Sequence, residues 1–328
     1  MKCINNIYGK VTLFILSGCL LFMSGCGNLK YEMPYTLNPE SSSYSMINLE
    51  ENSGTATPFA ADLCVVNTNI NGSGTAIQAS GAALFDINNK STIYAKNVHE
   101  KLYPASLTKI MTALVALKYG SADMLLTASS NVSSLEADAQ VCGIKPGDQM
   151  TLAQALHLLL INSANDAAIM IAEGIAGSVE AFSAMMNEEA LLLGATNSHF
   201  VNPHGLSDDN HYTTVYDMYL IANAAIKYEL FNEIVHMSSY TTVYTDKKGA
   251  PKEVSVNSTN LYIQGVATAP DGISVIGGKT GTTNAAGHCL ILQARDASGN
   301  PYISVIMRAD NRDNLYLQMT DLLSEINN

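Results

Sequence analysis

Apolar residues recur with helical spacing in the stretch that begins at residue 107. Leu107, Ile110, Met111, Leu114 and Val115 occupy positions i, i+3, i+4, i+7 and i+8 of this stretch. That spacing places the side chains on one face of an α-helix. The pattern therefore predicts a helix whose apolar face packs into a hydrophobic core.

Segments with strand character fall into two groups, one before this helix and one near the end of the chain. The first group comprises residues 62–66, 82–86 and 92–96. The second group comprises residues 240–244, 252–256, 273–276, 288–295 and 302–308. An Asn-Asn-Lys sequence at 88–90 supplies turn residues, which predicts a hairpin between the last two segments of the first group.

Helical signals dominate the chain between the two groups of strands. Thr151 and Gln154 form a capping box ahead of a leucine-rich run, and Ser178 caps a helix that stops at Gly194. Further helices are predicted at 167–176, at 216–226 and over the last residues, where the apolar positions are Leu315, Met319, Leu322, Leu323 and Ile326. Strands at both ends around a helical middle predict an α+β fold with an inserted helical subdomain at about residues 112–230.

Composition and charge narrow the function classes. The chain has 328 residues, of which 47% are hydrophobic, so it is long enough for one large domain or two smaller ones. The formal net charge is −12. An acidic chain without a basic cluster repels phosphates, so the sequence predicts no nucleic-acid partner.

The N-terminus is predicted to be a targeting segment. Lys2 and Lys10 supply positive charge, and residues 11–23 form an apolar run that is short for a membrane span. The run ends in Met23-Ser24-Gly25-Cys26, which resembles the lipobox of bacterial lipoproteins. The sequence therefore predicts a lipoprotein-type signal peptide at 1–25 and lipidation of Cys26.

An earlier Leu-Ser-Gly-Cys sequence at 16–19 fits the lipobox better at its first position, but cleavage there leaves a very short apolar core. A plain secretory signal and an uncleaved anchor remain as alternatives. Each places the rest of the chain outside the cytoplasm, and lipidation predicts anchoring at the outer face of the cell membrane. Residues 26–60 are rich in Ser, Asn and Thr and predict a flexible tether, followed by a folded domain at 61–328.

Neither the cysteines nor the histidines show the spacing of a metal site. Cys64, Cys142 and Cys289 are isolated beyond the leader and predict no disulfide framework. A further group is close in sequence but does not match a helical ligand pair: His199, His204, His211, Asp208 and Asp209. We interpret that group as a structured loop, and the sequence predicts neither a metal nor another cofactor.

Ser106 and Lys109 share one face of the predicted helix at its first turn, because they are three residues apart. A serine hydroxyl is a weak nucleophile until a base takes its proton, and a lysine is such a base when burial or nearby positive charge lowers its pKa. The helix N-terminus also favours a developing oxyanion. The competing interpretation is a capped helix with a surface lysine.

Two further polar groups support the catalytic interpretation. Ser163 and Asn165 lie between two predicted helices and offer a hydroxyl for proton transfer and an amide for a substrate carbonyl, although both residue types also favour helix caps. Lys279-Thr280-Gly281 follows a predicted strand, where a cation and a hydroxyl can hold a carboxylate and a glycine permits close backbone approach. A glycine-rich turn is the alternative interpretation of the second group.

In this order and spacing the three groups resemble the Ser-x-x-Lys, Ser-x-Asn and Lys-Thr-Gly set of penicillin-binding proteins and serine β-lactamases. The surrounding residues narrow the resemblance: Tyr-Pro-Ala-Ser-Leu-Thr-Lys-Ile-Met-Thr at 103–112, Asn-Ser-Ala-Asn-Asp at 162–166, Asn-Pro-His-Gly-Leu at 202–206 and Gly-Lys-Thr-Gly-Thr-Thr at 278–283. They resemble the serine-type D-Ala-D-Ala carboxypeptidases, which are low-molecular-mass penicillin-binding proteins. The resemblance covers about residues 60–326 and implies an antiparallel sheet flanked by helices, a helical subdomain, and a cleft between them.

The resemblance also implies a role for each site residue. Ser106 is the expected acyl nucleophile, Lys109 its base and Ser163 a proton relay, while Asn165 binds the peptide. The expected partners are peptidoglycan stem peptides ending in D-Ala-D-Ala, β-lactams as covalent inhibitors, and the membrane through the lipid. No cofactor is expected.

On the other side of the expected cleft, Lys279 and Thr280 hold the terminal carboxylate, and Gly281 adjoins them. The amide N–H groups of Ser106 and Thr282 form the oxyanion hole. Arg312, near the start of the last helix, matches an arginine that the family links to carboxylate recognition. We also expect Lys279 to lie outside the hydrophobic core.

Two departures from the family pattern bear on these expectations. Thr282 occupies a position where His or Tyr is common, which leaves substrate preference open. Members often carry a second β domain and a C-terminal amphipathic anchor, and this sequence ends before either, so we expect lipid at Cys26 to replace that anchor. The alternative functions are a non-catalytic β-lactam-sensing or wall-binding lipoprotein and a serine β-lactamase, the latter disfavoured because no clear deacylating glutamate is present.

Overall fold

The structure, a computed structural model, describes residues 60–72, 77–136 and 139–328. The predicted signal peptide, the predicted lipidation site at Cys26 and almost all of the predicted tether lie outside the described residues. Within those residues no single helix is both long and apolar enough to cross a membrane, although one pair of helices bent by 83° passes that test on length and composition alone.

Seven α-helices lie in the described part of the chain. They are α1 Thr108–Tyr119, α2 Leu152–Ile161, α3 Asn165–Ala176, α4 Val179–Leu192, α5 Val215–Ala225, α6 Glu229–His236 and α7 Arg312–Ser324. The Thr151 capping box is present, and Ser178 accepts a hydrogen bond from the amide of Ala181. The predicted helices therefore form where the capping residues indicated.

The main sheet contains five strands of the described chain and is antiparallel throughout. Its strands are β1 Gly81–Asp86, β2 Ser91–Lys96, β7 Ser274–Thr283, β8 Gly287–Arg295 and β9 Pro301–Ala309. They are arranged in the order β2-β1-β9-β8-β7, so the N-terminal hairpin pairs with the C-terminal strands and β7 is an edge. The α+β fold with an antiparallel sheet flanked by helices is thereby confirmed.

Among the described residues, a second sheet of four strands combines two short strands from the helical stretch with two longer strands that follow it. It joins β3 Leu125–Thr127, β4 Gln149–Thr151, β5 Ser239–Thr245 and β6 Pro251–Asn257 in that order. The predicted strands at 240–244 and 252–256 pair with each other here and do not belong to the main sheet. The two three-residue strands escaped prediction because they are too short to show a period of two.

The prediction of a strand at 62–66 is wrong. Residues 60–63 form a turn, and the chain beyond it finds its hydrogen bonds in tyrosine side chains. The Cys64 amide donates to the Tyr219 hydroxyl at 2.9 Å, and the Tyr216 hydroxyl donates to the Cys64 carbonyl at 2.9 Å. Because side chains satisfy its peptide groups, this segment needs no neighbouring strand.

The main sheet is buried on both faces, which explains its apolar strands. Along β1, Ala83 and Phe85 face one cluster of buried side chains, while Ala82 and Leu84 face the other. The first cluster packs against α1 to α6 and the second against α7. Because both faces are covered, every residue of β1 is buried. The centre of the main sheet is therefore fixed between α1 to α6 on one face and α7 on the other.

Candidate active site

A cleft of about 630 Å³ separates the helices from the edge strand β7. Ser106, Ser163 and Asn165 line its helical side. Thr280, Gly281, Thr282 and Arg312 also line the cleft. The structure therefore brings together residues that are far apart in the sequence, from Ser106 to Arg312.

Ser106 lies in a tight turn that leads directly into α1. Residues Ala105–Leu107 form a single 3₁₀ turn, and Ala105 has a positive φ of 49°. A non-glycine residue in this region is strained, and such strain is common where a side chain must be held in a functional orientation. The turn places the half-buried Ser106 on the wall of the cleft.

Gly205 permits a loop to lie directly on this turn. It has a φ of +90°, and a Cβ at this position would come within 1.9 Å of the Ala105 carbonyl oxygen. Only glycine satisfies both the dihedral angle and the close approach. The sequence motif at 202–206 was part of the family resemblance, but nothing in it assigned this contact.

Lys109 is fully buried and its amine has three acceptors. Nζ donates to Ser106 Oγ at 2.9 Å, to Asn165 Oδ1 at 2.6 Å and to the His204 carbonyl oxygen at 2.6 Å. These groups come from the turn that holds Ser106, from the start of α3 and from the loop that contains Gly205. The contacts fix the position of Nζ beside the serine hydroxyl.

Burial lowers the pKa of Lys109 well below its usual value, and the positive charge of Lys279 lowers it further, while Asp166 opposes the shift. A neutral lysine amine has two N–H groups and one lone pair. The Asn165 oxygen and the His204 carbonyl can only accept, so they take the two N–H groups. In this neutral form the hydrogen bond with Ser106 reverses its direction: the lone pair of Nζ accepts from the serine hydroxyl. The arrangement can therefore activate the serine.

Ser163 and Asn165 lie at the predicted junction between two helices. Ser163 has a positive φ of 63°, is buried, and lines the cleft between the end of α2 and the start of α3. Asn165 is engaged by Lys109 through Oδ1, which leaves its amide nitrogen as the group for a substrate carbonyl. Next to it, the buried Asp166 accepts amide hydrogen bonds from Cys142 at 3.1 Å and from Ile144 at 2.9 Å, which anchors the loop beside the cleft.

The Lys-Thr-Gly motif lies within β7, not after it. The predicted strand at 273–276 extends to Thr283, and β8 pairs with it as far as Thr283, with a bulge between Val275 and Gly277. Glycines at 277 and 278 suggested a turn, but both lie within the strand and pair with β8, and close neighbours leave no space for a Cβ at either position. As the edge strand of the sheet, β7 offers unpaired backbone groups to a peptide in the cleft.

The expectation that Lys279 lies outside the core is wrong. Its exposed fraction is 1%, and Nζ donates to the Thr280 carbonyl oxygen at 2.9 Å. The methylene chain of a lysine is long and apolar, so it can be buried beneath a strand while the amine keeps a hydrogen bond. Burial lowers the pKa of Lys279 to about 7.

The lack of a side chain at Gly281 allows β7 to lie close to the backbone of Ser106. A Cβ there would lie 3.0 Å from the Ser106 amide nitrogen and 3.0 Å from the Pro104 carbonyl oxygen. Thr282 follows, exposed on the cleft. The two amides predicted to form the oxyanion hole therefore belong to backbone segments that lie against each other.

Arg312 and Thr259 complete the cleft lining. Arg312 is 68% exposed at the first residue of α7, with its nearest carboxylate on Asp313 at 3.9 Å. Thr259, which the sequence analysis did not single out, lies with its Oγ1 2.5 Å from Oγ1 of Thr280. No motif marks Thr259, because its contact with Thr280 exists only after the chain folds.

The histidine group forms a structured loop, as interpreted. His211 Nε2 lies 2.8 Å from Thr108 Oγ1, and His211 Nδ1 accepts from the Val201 amide at 3.1 Å. Burial lowers the pKa of His211 to about 4 and that of His204 to about 3. Across the described ranges, no group of three or more His, Cys, Asp or Glu side chains is arranged to hold a metal ion. Cys64, Cys142 and Cys289 are free thiols.

Comparison with known proteins agrees with this geometry. A family model described as D-alanyl-D-alanine carboxypeptidase, peptidase S11, matches residues 67–311. D-alanyl-D-alanine carboxypeptidase DacF of Bacillus subtilis is 34% identical over 255 residues, covering 75% of this chain and 61% of the relative. DacC of Escherichia coli is 31% identical over 244 residues, covering 71% of this chain and 57% of the relative.

This chain thus spans about three fifths of the length of these curated relatives. Among solved structures, the Streptomyces K15 DD-transpeptidase superposes with a TM-score of 0.71 at 26% identity, covering 77% of this chain and 98% of that one. The family match covers well over half of the chain and includes all three catalytic motifs. The chain belongs to the peptidase S11 family of D-alanyl-D-alanine carboxypeptidases.

Proposed function

We propose that this protein is a penicillin-sensitive serine D-Ala-D-Ala carboxypeptidase that removes the terminal D-Ala from peptidoglycan stem peptides through an acyl-enzyme. The observation that carries the proposal is the buried Lys109 amine, 2.9 Å from Ser106 Oγ and held by two groups that can only accept. A binding module needs a complementary pocket, but it has no use for a desolvated base beside a serine hydroxyl.

The edge strand orients the substrate. An extended peptide lies along β7 and pairs with its backbone, with its terminal carboxylate near Thr280 and Lys279. A substrate carboxylate beside Lys279 favours the charged amine, so binding raises the lysine pKa and strengthens the contact. Arg312 adds a second cation at the cleft. This arrangement distinguishes a free C-terminus from an internal peptide bond.

Acylation begins with transfer of the Ser106 hydroxyl proton to Lys109. Ser106 transfers its proton to Lys109 Nζ while Oγ forms a bond to the carbonyl carbon of the penultimate D-Ala, and the carbonyl electron pair moves onto its oxygen. The amides of Ser106 and Thr282 stabilise that oxyanion. When the C–N bond breaks, the proton passes from Lys109 through Ser163 to the departing amine, so the terminal D-Ala leaves with a neutral nitrogen.

Deacylation repeats these transfers with water. Water gives a proton to the same base as its oxygen bonds to the ester carbon, and the C–Oγ bond breaks as Ser106 regains its proton. A β-lactam enters the same first step, but its leaving amine stays tethered to the acyl group. The tethered group obstructs the approach of water, which explains why a β-lactam inhibits the enzyme.

The purified full chain should release D-Ala from a peptide ending in D-Ala-D-Ala. Ser106→Ala should release none, while unfolding near the wild-type temperature because the change removes a single hydroxyl from a half-buried side chain. A wild-type protein that forms a stable penicillin adduct yet releases no D-Ala is a sensor or binder. One that hydrolyses penicillin many times per minute and leaves the peptide intact is a β-lactamase.

We further propose that Cys26 is lipidated and anchors the domain at the outer face of the bacterial cell membrane. The support is the short apolar run that ends in Ser-Gly-Cys, and the low-complexity segment after it. Metabolic labelling with a fatty-acid analogue should mark the wild type and not Cys26→Ala. Unchanged labelling of that variant, with loss of label in Cys19→Ala, would move the site to Cys19.

A further inference from the structure

We propose that Thr259 is a positioning residue for the substrate carboxylate, because its hydroxyl donates to Thr280 and thereby directs the Thr280 hydroxyl into the cleft. This inference rests on the proposed function, in which the terminal carboxylate of the substrate lies near Thr280. Thr259 itself does not touch the reacting atoms.

The two hydroxyls share one hydrogen bond. Their oxygens are 2.5 Å apart, and both residues line the cleft. Each hydroxyl can donate once and accept twice, so either atom can be the donor in the empty site. A carboxylate can only accept, so a bound substrate requires Thr280 to donate to it. The hydrogen between the two threonines must then come from Thr259.

The backbone around Thr259 is built to hold this contact. Its amide donates to the carbonyl of Ile161, the last residue of α2, at 3.2 Å. The neighbouring Ser258 and Asn260 are buried, and the Ser258 amide donates to the Ser238 carbonyl at 2.8 Å. Thr259 therefore links the end of α2, two residues before Ser163, to the edge strand β7.

The orientation of the Thr280 hydroxyl affects carboxylate binding, because Lys279 lies beside the same residue. Lys279 donates to the Thr280 carbonyl and stays buried beneath the strand, so its charge lies beside the same residue. A hydroxyl that points away from the carboxylate presents its lone pairs to that anion instead of its hydrogen. Thr259 prevents this orientation because its hydroxyl donates the hydrogen bond that Thr280 Oγ1 accepts.

Thr259→Val removes the donor and keeps the shape, and Thr259→Ser restores the hydroxyl. For a peptide ending in D-Ala-D-Ala we expect Thr259→Val to raise KM about tenfold and to change kcat less, on the scale of one lost hydrogen bond to a charged group. For the same peptide amidated at its C-terminus, Thr259→Val should lower kcat/KM at most about twofold. Thr259→Ser should recover most of the loss.

Thr241→Val is the matched control. Thr241 Oγ1 lies 2.8 Å from Ser255 Oγ on the second sheet, so this variant also removes a hydroxyl from a hydroxyl pair, but away from the cleft. It should leave both substrates unaffected. Thermal melts of all three variants establish that each is folded.

Acylation by penicillin supplies a readout that does not depend on peptide turnover. Penicillin carries a carboxylate, and its methyl ester does not, so Thr259→Val should slow adduct formation with the acid about tenfold and hardly change it with the ester. The role of Thr259 is overturned if Thr259→Val impairs the free and the amidated peptide equally, or penicillin and its methyl ester equally. Wild-type kinetics of Thr259→Val would overturn it as well. A wild-type protein that neither releases D-Ala nor forms an adduct overturns the proposed function, and this role with it.

Discussion

Two buried lysines lie beside the cleft, and their hydrogen-bond partners differ. Lys109 and Lys279 are both buried, and burial lowers the pKa of both. Lys109 is bonded to three groups from three parts of the chain, one of which is the Ser106 hydroxyl. Lys279 is bonded to the carbonyl of the next residue in its own strand. Burial therefore favours the neutral form of each amine, and the different partners support the different roles that we propose, a base for Lys109 and an anion anchor for Lys279.

The largest effect should come from Lys109→Met, which keeps the length of the side chain and removes the base. We expect acylation by penicillin and peptide turnover to fall about a thousandfold or more, as is typical when a general base is lost. The melting temperature should change little, because relief of the burial cost of the amine is offset by the loss of the donor to the Asn165 and His204 oxygens. Retention of a tenth of the acylation rate would remove Lys109 from its role as base.

Lys279→Met should cost less and should discriminate between substrates. Removing the carboxylate anchor should lower kcat/KM about 30- to 1000-fold for a peptide ending in D-Ala-D-Ala, which corresponds to roughly 2–4 kcal/mol. The loss should be smaller for the amidated peptide. Because Lys279 is buried, Met is the appropriate replacement, and Ala would add a cavity. Equal losses on both peptides would place Lys279 in proton transfer.

The same variant should change how stability depends on pH. The pKa of Lys279 is about 7 in the folded protein and 10.5 without the fold, so the unfolded chain binds the extra proton between these values. Stability therefore rises with pH across this window, and the cost of burial is fully present below about pH 7. Lys279→Met should be stabilised relative to wild type by a few kcal/mol at pH 6 and by little near pH 10.5, as measured by urea unfolding. A difference independent of pH would contradict the assignment.

Gly205→Ala should have the smallest effect on chemistry among these variants. Its Cβ would meet the Ala105 carbonyl, so the loop must move, which shifts the His204 acceptor away from Lys109. We expect about a tenfold loss of acylation and about 1–3 kcal/mol of stability. Gly177→Ala is the control, since Gly177 also has a positive φ of 82° but nothing lies within 4 Å of an added Cβ. If both variants acylate at the wild-type rate, the Gly205 contact does not position the base.

The sequence was informative where chemistry depends on side chains close together in the chain. Ser106 and Lys109 share a helical turn, so their contact could be predicted from spacing, and Ser163 could be placed at a junction between two helices. The burial of Lys279 could not be predicted, because it depends on β7 continuing through two glycines and on β8 pairing with it. The third acceptor of Lys109 is the His204 carbonyl, a backbone atom whose position depends on the fold and not on the residue type.

The central claim is that Ser106 is the nucleophile and Lys109 its base, and acylation by penicillin tests it most directly. The wild-type protein should gain a single covalent adduct, which peptide mapping should place on the tryptic peptide 102–109, where Ser106 is the one serine. Its rate of formation should rise with pH until Lys109 has lost its proton, at a pH well below the usual lysine pKa. Ser106→Ala should show no adduct. An adduct on another peptide, or one that persists in Ser106→Ala, would contradict the account.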